Sequence, residues 1–254
     1  MFAGEVHGHD GLGGWNRMAQ GSPLQVNDLA APQLIPCLAR RFPGEITLIA
    51  LGPLTNVATA AREDAEGFGM LKELVIMGGT IWEPGNITPV AEFNFFAAPE
   101  AAREVIRCGV PSVLVGLDVT RHAVLKRDRL DQLLAARSDR RARFLDCICS
   151  HLFAFYRSRL GREMCYLHDP LAVGVALDRS LAETRPMSID IETSGELTRG
   201  MVVAERRSWA HQPANVDVCI TVDTERFLAE FCDRVLAAGR TMATTRGNGQ
   251  KQGP

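Results

Sequence analysis

Three polar residues that lie close together in the chain form the first candidate for chemistry. Asn86, Glu92 and Asn94 offer amide and carboxylate groups, and no nucleophile accompanies them. Such groups donate and accept hydrogen bonds, which suits a polyhydroxylated ligand such as a sugar. The same pattern also permits a structural interpretation, in which Asn86 forms a turn after Gly85 and Glu92 is a solvated side chain.

The segment His168-Asp169-Pro170 is a second candidate. A histidine titrates near neutral pH, so His168 can protonate a leaving group. Asp169 can ligate a hard cation or orient a water molecule. The structural alternative is a helix start, with Asp169 as the N-cap residue and Pro170 in the first helical position.

A glycine-rich segment with two histidines lies near the N-terminus, at residues 6–14. It lacks Gly-Lys-Ser/Thr and the Gly-x-Gly-x-x-Gly spacing, so it is not a phosphate-binding loop. Flexible glycines beside His and Asp favour a loop that closes over a ligand. A frayed N-terminus is an equally open interpretation.

The remaining histidines and the cysteines do not indicate a metal site. No two histidines have metal-ligand spacing, and His151 falls on the apolar stripe of a predicted helix, where a satisfied core histidine is expected. The seven cysteines are irregularly spaced and contain no Cys-x-x-Cys. We therefore expect reduced, mostly buried thiols in a cytoplasmic protein. The Gly-x-Ser-x-Gly sequence of serine hydrolases is also absent.

Strand and helix patterns alternate along the chain, which predicts an α/β fold with a mostly parallel sheet flanked by helices. Apolar runs predict strands at 46–51, 74–77, 112–117 and 216–221, and a hairpin of 187–191 with 201–204. Helical patterns cover 57–62, 99–107, 127–136, 140–160, 171–177 and 225–238. A long polar loop is predicted from Thr80 to about Asn94.

Composition limits the possible classes of function. The chain has 254 residues, 46% of them hydrophobic and 23% charged, with a formal net charge of −2. Without a basic excess, nucleic acid is not expected as a partner. No apolar run approaches the ~18 residues of a membrane span, and the first residues do not resemble a signal peptide. We expect one domain over residues 1–240 and a disordered tail over residues 241–254.

The fold class predicts where the site lies. Ligands of open α/β sheets bind beyond the carboxyl ends of the strands. Here those ends are Leu51-Gly52, Met77-Gly78-Gly79 and Leu117-Asp118. The polar loop with Asn86, Glu92 and Asn94 follows the second of these ends, and a polar loop of that length in a compact domain is usually functional.

Several segments taken together resemble the inosine/uridine-preferring nucleoside hydrolase family. In chain order they are Val6-His7-Gly8 with Asp10-Gly11-Leu12-Gly13, Leu51-Gly52-Pro53-Leu54-Thr55-Asn56, Met77-Gly78-Gly79, Gly85-Asn86, Ala91-Glu92-Phe93-Asn94 with Pro99-Glu100-Ala101-Ala102, Gly116-Leu117-Asp118-Val119-Thr120, and His168-Asp169-Pro170. Each segment alone is a weak signal, but all of them occur in the family's order and span most of the chain. The resemblance implies hydrolysis of the N-glycosidic bond of ribonucleosides.

The resemblance also implies roles for individual residues. His7 sits near the ribose on a closing loop, and His168 assists the departing base as the catalytic residue. Asp169 and the backbone carbonyl of Leu51 ligate calcium. The implied ribose contacts are Met77, Asn86, Glu92 and Asn94, and Tyr156 lines the base pocket. The family also tends to form homo-oligomers.

One departure from the family pattern is large. Family members carry an Asp-x-Asp-x-Gly-x-Asp-Asp cluster after their first strand, and this chain has none. The cluster supplies the water-activating base and most calcium carboxylates, so we expect impaired activity and a sheet that lacks the first βα unit. A misplaced start codon or a gene fragment is the expected origin. A non-catalytic nucleoside-binding or assembly partner of the same fold stays an alternative, as does an unrelated α/β hydrolase that acts on another sugar.

Overall fold

The computed structural model describes residues 3–15, 26–135 and 137–236. The helices of these parts, in chain order, are α1 (Ala3–His7), α2 (Ala31–Arg41), α3 (Thr55–Glu63), α4 (Ala65–Phe68), α5 (Phe93–Ala97), α6 (Pro99–Ile106), α7 (Leu117–Thr120), α8 (Arg127–Leu134), α9 (Arg140–Leu160), α10 (His168–Leu177) and α11 (Thr224–Leu236). The strands are β1 (Thr47–Ala50), β2 (Glu73–Met77), β3 (Ser112–Val115), β4 (Val124–Lys126), β5 (Met164–Tyr166), β6 (Ala182–Met187), β7 (Ile189–Ile191), β8 (Val202–Ala204) and β9 (Val216–Val222).

The central sheet has the strand order β1-β2-β3-β9-β6. Its first four strands are parallel, and β6 pairs antiparallel with β9 at one edge. Two small antiparallel pairs, β4 with β5 and β7 with β8, lie outside it. The predicted α/β class with a mostly parallel sheet is confirmed.

Helices cover both faces of the central sheet, and β2 shows how. Leu74 and Ile76 point into the core formed with α2, α3 and α6. Val75 and Met77 point the other way, into the core formed with α9, α10 and α11. Successive side chains of a strand face opposite sides, so a strand buried on both faces is a continuous apolar run. Met77 thereby lies on the side of the sheet that carries α10.

Helix α9 is the longest helix of the described residues, and local signals define both of its ends. The carboxylate of Asp139 accepts hydrogen bonds from the backbone N–H groups of Arg141 and Ala142. Gly161 ends the helix in the left-handed conformation at φ 66°, which a glycine adopts without steric cost. The predicted range 140–160 for this helix is confirmed.

Some predicted elements differ in extent from the observed ones, and some observed elements were not predicted. The 187–191 strand is divided, because Met187 ends β6 and the hairpin strand begins at Ile189. Helix α2 and strands β4, β5 and β6 were not predicted. In β6, Glu183–Pro186 is polar and exposed, so it lacks the apolar signal of a strand. Proline is tolerated there because β6 is an edge strand.

Two further predictions concern the C-terminal tail and membrane-spanning helices. The predicted disordered tail, residues 241–254, lies outside the described residues. Within the described ranges, no helix has the length and apolar character needed to cross a membrane.

Candidate active site

The carboxyl ends of β1 and β2 are tied together by one buried amide. The Nδ2 atom of Asn94 donates to the backbone oxygen of Met77 at 3.0 Å and to that of Leu51 at 3.4 Å. Asn94 is only 6% exposed. The structure therefore brings Leu51, Met77 and Asn94 together at the carboxyl ends of the strands, where the fold class predicts a ligand.

Glu92 lies beside this cluster and is the N-cap residue of α5. Its Oε2 atom accepts from the backbone N–H of Asn94 at 2.8 Å, of Gly79 at 3.1 Å and of Phe95 at 3.4 Å. Among the described residues, no group donates to Oε1. The side chain is 2% exposed, so the interpretation of Glu92 as a solvated side chain is wrong.

Burial dominates the electrostatics of Glu92. It raises the pKa of this carboxyl to about 7, against the opposing effect of the three N–H donors. The negative charge of Asp169 raises the pKa of Glu92 further. Glu92 is thus a buried carboxyl with one oxygen held by the backbone and the other available to a ligand.

The polar loop that carries Asn86 ends at Glu92, two residues earlier than predicted, because α5 begins at Phe93. The Oδ1 atom of Asn86 accepts from the backbone N–H of Phe93 at 2.8 Å, which closes the loop. Gly85 is required next to it, since an added Cβ would lie 2.1 Å from the oxygen of Thr88. The side chain of Asn86 is exposed at the loop surface.

Asp118, which the sequence analysis did not assign to the site, holds the other end of this loop. Its carboxylate accepts from the backbone N–H groups of Ile81 at 2.9 Å, Trp82 at 2.7 Å and Glu83 at 3.0 Å. The sequence signal was a carboxylate three residues after the end of β3. Its role is to fix the loop that carries the ligand-facing groups.

His168 and Asp169 form the first turn of α10, which packs against β1 and β2. The N-cap position belongs to Leu167, so the interpretation of Asp169 as the cap is wrong. The helix begins two residues earlier because the chain leaves β5 directly into it. Burial raises the pKa of Asp169 to about 6. Asp169 is therefore a partly desolvated carboxyl in the first turn of a helix that packs on β1 and β2.

His168 has a buried hydrogen-bond partner that was also missed, Thr120. The Nδ1 atom of His168 lies 2.7 Å from the Oγ1 atom of Thr120. Burial, followed by the positive charges of Arg121 and His7, lowers the pKa of His168 to about 4. The expectation of a pKa near neutral is therefore wrong, and the imidazole is uncharged at pH 7. If Thr120 donates to Nδ1, the ring proton is on Nε2.

A ladder of aromatic rings leads from His168 to Tyr156. Tyr166 packs on His168 with ring centroids 5.3 Å apart, and Tyr156 packs edge-on against Tyr166 at 5.2 Å. Burial raises the pKa of Tyr156, so its hydroxyl stays protonated. The two tyrosines provide aromatic surface next to His168, with their rings perpendicular to each other.

Residues 3–15, here called the N-terminal strap, pack along α9. Trp15 stacks edge-on with Phe144 at 5.3 Å, and Glu5 pairs with Arg159 at 3.2 Å. His7 is the last residue of α1, so the expected loop begins only after it, and a frayed N-terminus does not describe the strap. Burial and then the charge of His151 lower the pKa of His7.

His151 does not have the satisfied core environment that its helical stripe predicts. Its Nε2 atom is buried and has no hydrogen-bond partner among the described residues. The reason is that α9 turns His151 toward the backbone of the strap, where Gly13 offers no side chain to bind it.

The described residues do not make a complete site for a calcium ion. Calcium takes about 6–8 oxygen ligands. The carboxylate of Asp169 and the carbonyl of Leu51 are two oxygens, and the latter already accepts a hydrogen bond from Asn94. In residues 3–15, 26–135 and 137–236, no group of three or more His, Cys, Asp or Glu could hold a metal ion.

The arrangement divides into two parts that meet at α10. One part offers oxygen and amide groups at the strand ends, from Leu51, Met77, Glu92 and Asn94. The other offers imidazole and aromatic rings, from His7, His168, Tyr166 and Tyr156. The first part suits a sugar and the second a flat heterocycle.

Comparisons with known proteins show which family the chain resembles. A family model described as inosine-uridine preferring nucleoside hydrolase matches residues 1–229. The non-specific ribonucleoside hydrolase RihC of Escherichia coli is 36% identical over 226 residues, 89% of this chain and 71% of the relative. A probable uridine nucleosidase 2 of Arabidopsis thaliana is 32% identical over 240 residues, 91% of this chain and 73% of the relative. The solved structure of a plant nucleoside hydrolase superposes with a TM-score of 0.85 at 31% identity, covering 94% of this chain and 76% of that one.

Proposed function

This chain belongs to the inosine-uridine preferring nucleoside hydrolase family, and from that membership we propose how its residues hydrolyse the N-glycosidic bond of ribonucleosides. Ribose and a free base are the products. The observation that carries the proposal is the position of Asn94 and Glu92 at the ends of β1 and β2, together with the packing on these strands of the helix that begins with His168 and Asp169.

Ribose binds at the strand ends in this proposal. Its hydroxyl groups contact the free oxygen of Glu92 and the amides of Asn86 and Asn94, with Met77 beneath the ring and His7 above it. The support is the hydrogen-bond pattern, since the backbone occupies Oε2 of Glu92 and no described group donates to Oε1. A polyhydroxylated ring needs such acceptors held in place before it arrives.

The same groups stabilise the transition state. Cleavage of a glycosidic bond builds oxocarbenium character on the sugar. Oxygen atoms placed around the ring stabilise that positive charge, and their effect is larger in a water-poor site. Buried Glu92 and Asn94 meet this requirement.

His168 assists departure of the base, and Tyr156 lines the base pocket. A base leaves more easily when a hydrogen-bond donor stabilises the negative charge that develops on it. With a pKa of about 4, His168 acts as a neutral donor through Nε2–H, oriented by the hydroxyl of Thr120 at Nδ1. The adjacent Tyr166 and Tyr156 rings support stacking of a heterocycle.

Calcium belongs to this proposal with a restriction. The Leu51 carbonyl and the Asp169 carboxylate are the two oxygens proposed as its ligands, and the described residues do not complete the set. We therefore propose weak calcium binding by this chain and derive no step of the reaction through the ion.

We propose that turnover by this chain is slow. The sequence contains no Asp-x-Asp-x-Gly-x-Asp-Asp cluster, and this cluster is the one that supplies the water-activating base in the family pattern. The alternative function is a non-catalytic nucleoside-binding or assembly partner of the same fold. This alternative is favoured because Glu92 and Asn94, the groups proposed to bind ribose, are present, whereas the acidic cluster that would supply the water-activating general base is absent from the sequence.

Ribose release from uridine and inosine tests the proposal, with the full chain, millimolar calcium and the variant His168→Ala. We expect slow release that falls at least tenfold in the variant, because removal of one hydrogen-bond donor to a developing negative charge costs about 10²–10³-fold. The matched control is His211→Ala, which changes an exposed histidine and is expected to have no effect. Equal rates with and without His168 would contradict the role of His168. Nucleoside binding without any release would favour the alternative.

Two further proposals concern the setting of the enzyme. All seven cysteines are free thiols, which supports residence in the reducing cytoplasm. Self-association into a homo-oligomer is also proposed, and sedimentation of the full chain tests it.

A further inference from the structure

A buried imidazole nitrogen without a partner lies next to the candidate site. The Nε2 atom of His151 and the Nη1 atom of Arg179 are the buried side-chain polar atoms that lack a hydrogen bond within the described part of the chain. Buried polar groups are nearly always paired, because an unpaired one loses its bonds to water without replacement. His151 therefore calls for a partner in its immediate surroundings.

Gly13 places His7 in those surroundings. The backbone N–H of Gly13 donates to the backbone oxygen of His7 at 2.9 Å. On its other side, a Cβ added to Gly13 would lie 2.9 Å from the Cβ of His151. His7 and His151 thus flank the same glycine, one on the strap and the other on α9.

The contacts of the strap hold this arrangement along the helix. Cys147, one turn before His151, lies 3.6 Å from the backbone oxygen of Gly13. The Glu5–Arg159 ion pair joins the start of the strap to the C-terminal end of α9. The charge of His151 also perturbs the titration of His7, which is consistent with close approach of the two rings.

A ligand from solution is a poorer candidate for this partner than His7. The Nε2 atom is inaccessible to solvent in this structure, so a ligand would first have to displace the strap. His7 belongs to the strap itself, and both its backbone oxygen and the Cβ of His151 lie beside Gly13, so His7 can serve as the partner without displacing the strap.

We propose that His151 is a positioning residue for His7: its Nε2 atom forms an N–H···N hydrogen bond with the imidazole of His7. This bond holds the His7 ring in one neutral tautomer and turns its other nitrogen toward the ribose site. The second nitrogen of a histidine is commonly oriented in this way by the bond that the first one makes. Only the direction in which His7 points rests on the proposed function.

Nuclear magnetic resonance of the ¹⁵N-histidine-labelled full chain at pH 8 tests the bond without any turnover. We expect one dominant tautomer of His7, by roughly ten to one, in the unaltered chain, since a hydrogen bond of ordinary strength is worth about tenfold. His151→Leu removes the partner and should bring the two tautomers to comparable populations. His151→Gln retains a hydrogen-bonding group at the Nε2 position and should restore the preference.

An unchanged tautomer ratio of His7 in His151→Leu would overturn the proposal. If that variant does not fold, the reciprocal variant His7→Gln tests the bond. The proposal predicts that the Nε2 signal of His151 shifts in this variant. An unchanged signal would overturn the proposal. Failure of ribose release with an intact His7–His151 coupling would count against the proposed function alone.

Discussion

Burial moves three site residues toward their uncharged forms. The pKa of Glu92 rises to about 7, that of Asp169 rises to about 6, and that of His168 falls to about 4, with desolvation as the largest cause in each case. Desolvation disfavours the charged form of any group. A neutral His168 depends on its hydrogen bond with Thr120 for its tautomer, so a residue absent from the predicted site controls one that is central to it.

At the residue scale, Thr120→Val should lower the free energy of unfolding by about 1–2 kcal/mol, because it leaves the buried Nδ1 atom of His168 unpaired. Thr120→Ser keeps the hydroxyl and should retain most of the stability. Urea denaturation of both variants at pH 7 measures the difference. Equal losses in the valine and serine variants would show that the lost stability comes from packing and not from the hydrogen bond.

Elements position the site through backbone contacts more than through side-chain pairs. The loop between β2 and α5 is held by Asp118 at its start and by Glu92 and Asn86 at its end. Glycines are required where this loop and the strap approach other backbone closely. Gly85 and Gly13 illustrate the two cases, the first by contact alone and the second by contact together with a φ of +62°.

For the loop, Gly85→Ala should lower the free energy of unfolding by about 3 kcal/mol, at the upper end of ordinary single substitutions. Its Cβ would lie 2.1 Å from the oxygen of Thr88 and 2.3 Å from that of Ala91, and backbone atoms cannot easily move away. Gly4→Ala is the control, since its Cβ meets no atom within 4 Å. Denaturation of both variants measures the contrast. A loss below 1 kcal/mol for Gly85→Ala would mean that the loop relaxes.

For the strap, Gly13→Ala should detach residues 3–15 from α9. Gly11→Ala is a matched control, because Gly11 has a similar φ of +71° but open space around its Cβ. Both variants carry the backbone strain of a left-handed residue, and only Gly13→Ala adds the clash with His151. Limited proteolysis should cleave the strap of Gly13→Ala several times faster than that of Gly11→Ala. Equal cleavage rates would assign the effect to backbone strain alone.

At the scale of the whole molecule, helices cover both faces of the parallel sheet. The carboxyl ends of its strands are left to meet a ligand. Helix α10 brings His168 and Asp169 to those ends, and α9 brings Tyr156 and His151 from the same side. The proposed base part of the site therefore depends on the helices of one sheet face, whereas Glu92 and Asn94 come from the segment that begins α5. The metal part is less complete, with two proposed oxygens.

Titration calorimetry with calcium tests this property of the whole chain. We expect no saturable binding tighter than about 1 mM, because two oxygens fall far short of the usual 6–8. Asp169→Asn is the control and should change the weak heats little. A tight site of one ion per chain, lost in Asp169→Asn, would contradict the expectation and show that further ligands exist in this chain.

The sequence by itself determined the α/β class and the order of the family's segments. It also predicted that the candidate site lies at the carboxyl ends of the parallel strands. These features depend on local signals, namely apolar runs for buried strands and polar residues directly after them. The tertiary structure alone decided the helix start at His168, the partner of that histidine and the burial of Glu92. It also decided the strand character of polar β6, which exists because β9 pairs with it.

The same distinction applies to the histidines. Local motifs and the family resemblance brought His7 and His168 forward as candidates, and helical spacing assigned His151 to the core. Only the packing of the strap on α9 shows that His151 lies beside Gly13 with an unpaired nitrogen. Desolvation and hydrogen-bond partners depend on residues distant in sequence, so pKa values and pairing follow from the folded chain and not from local pattern.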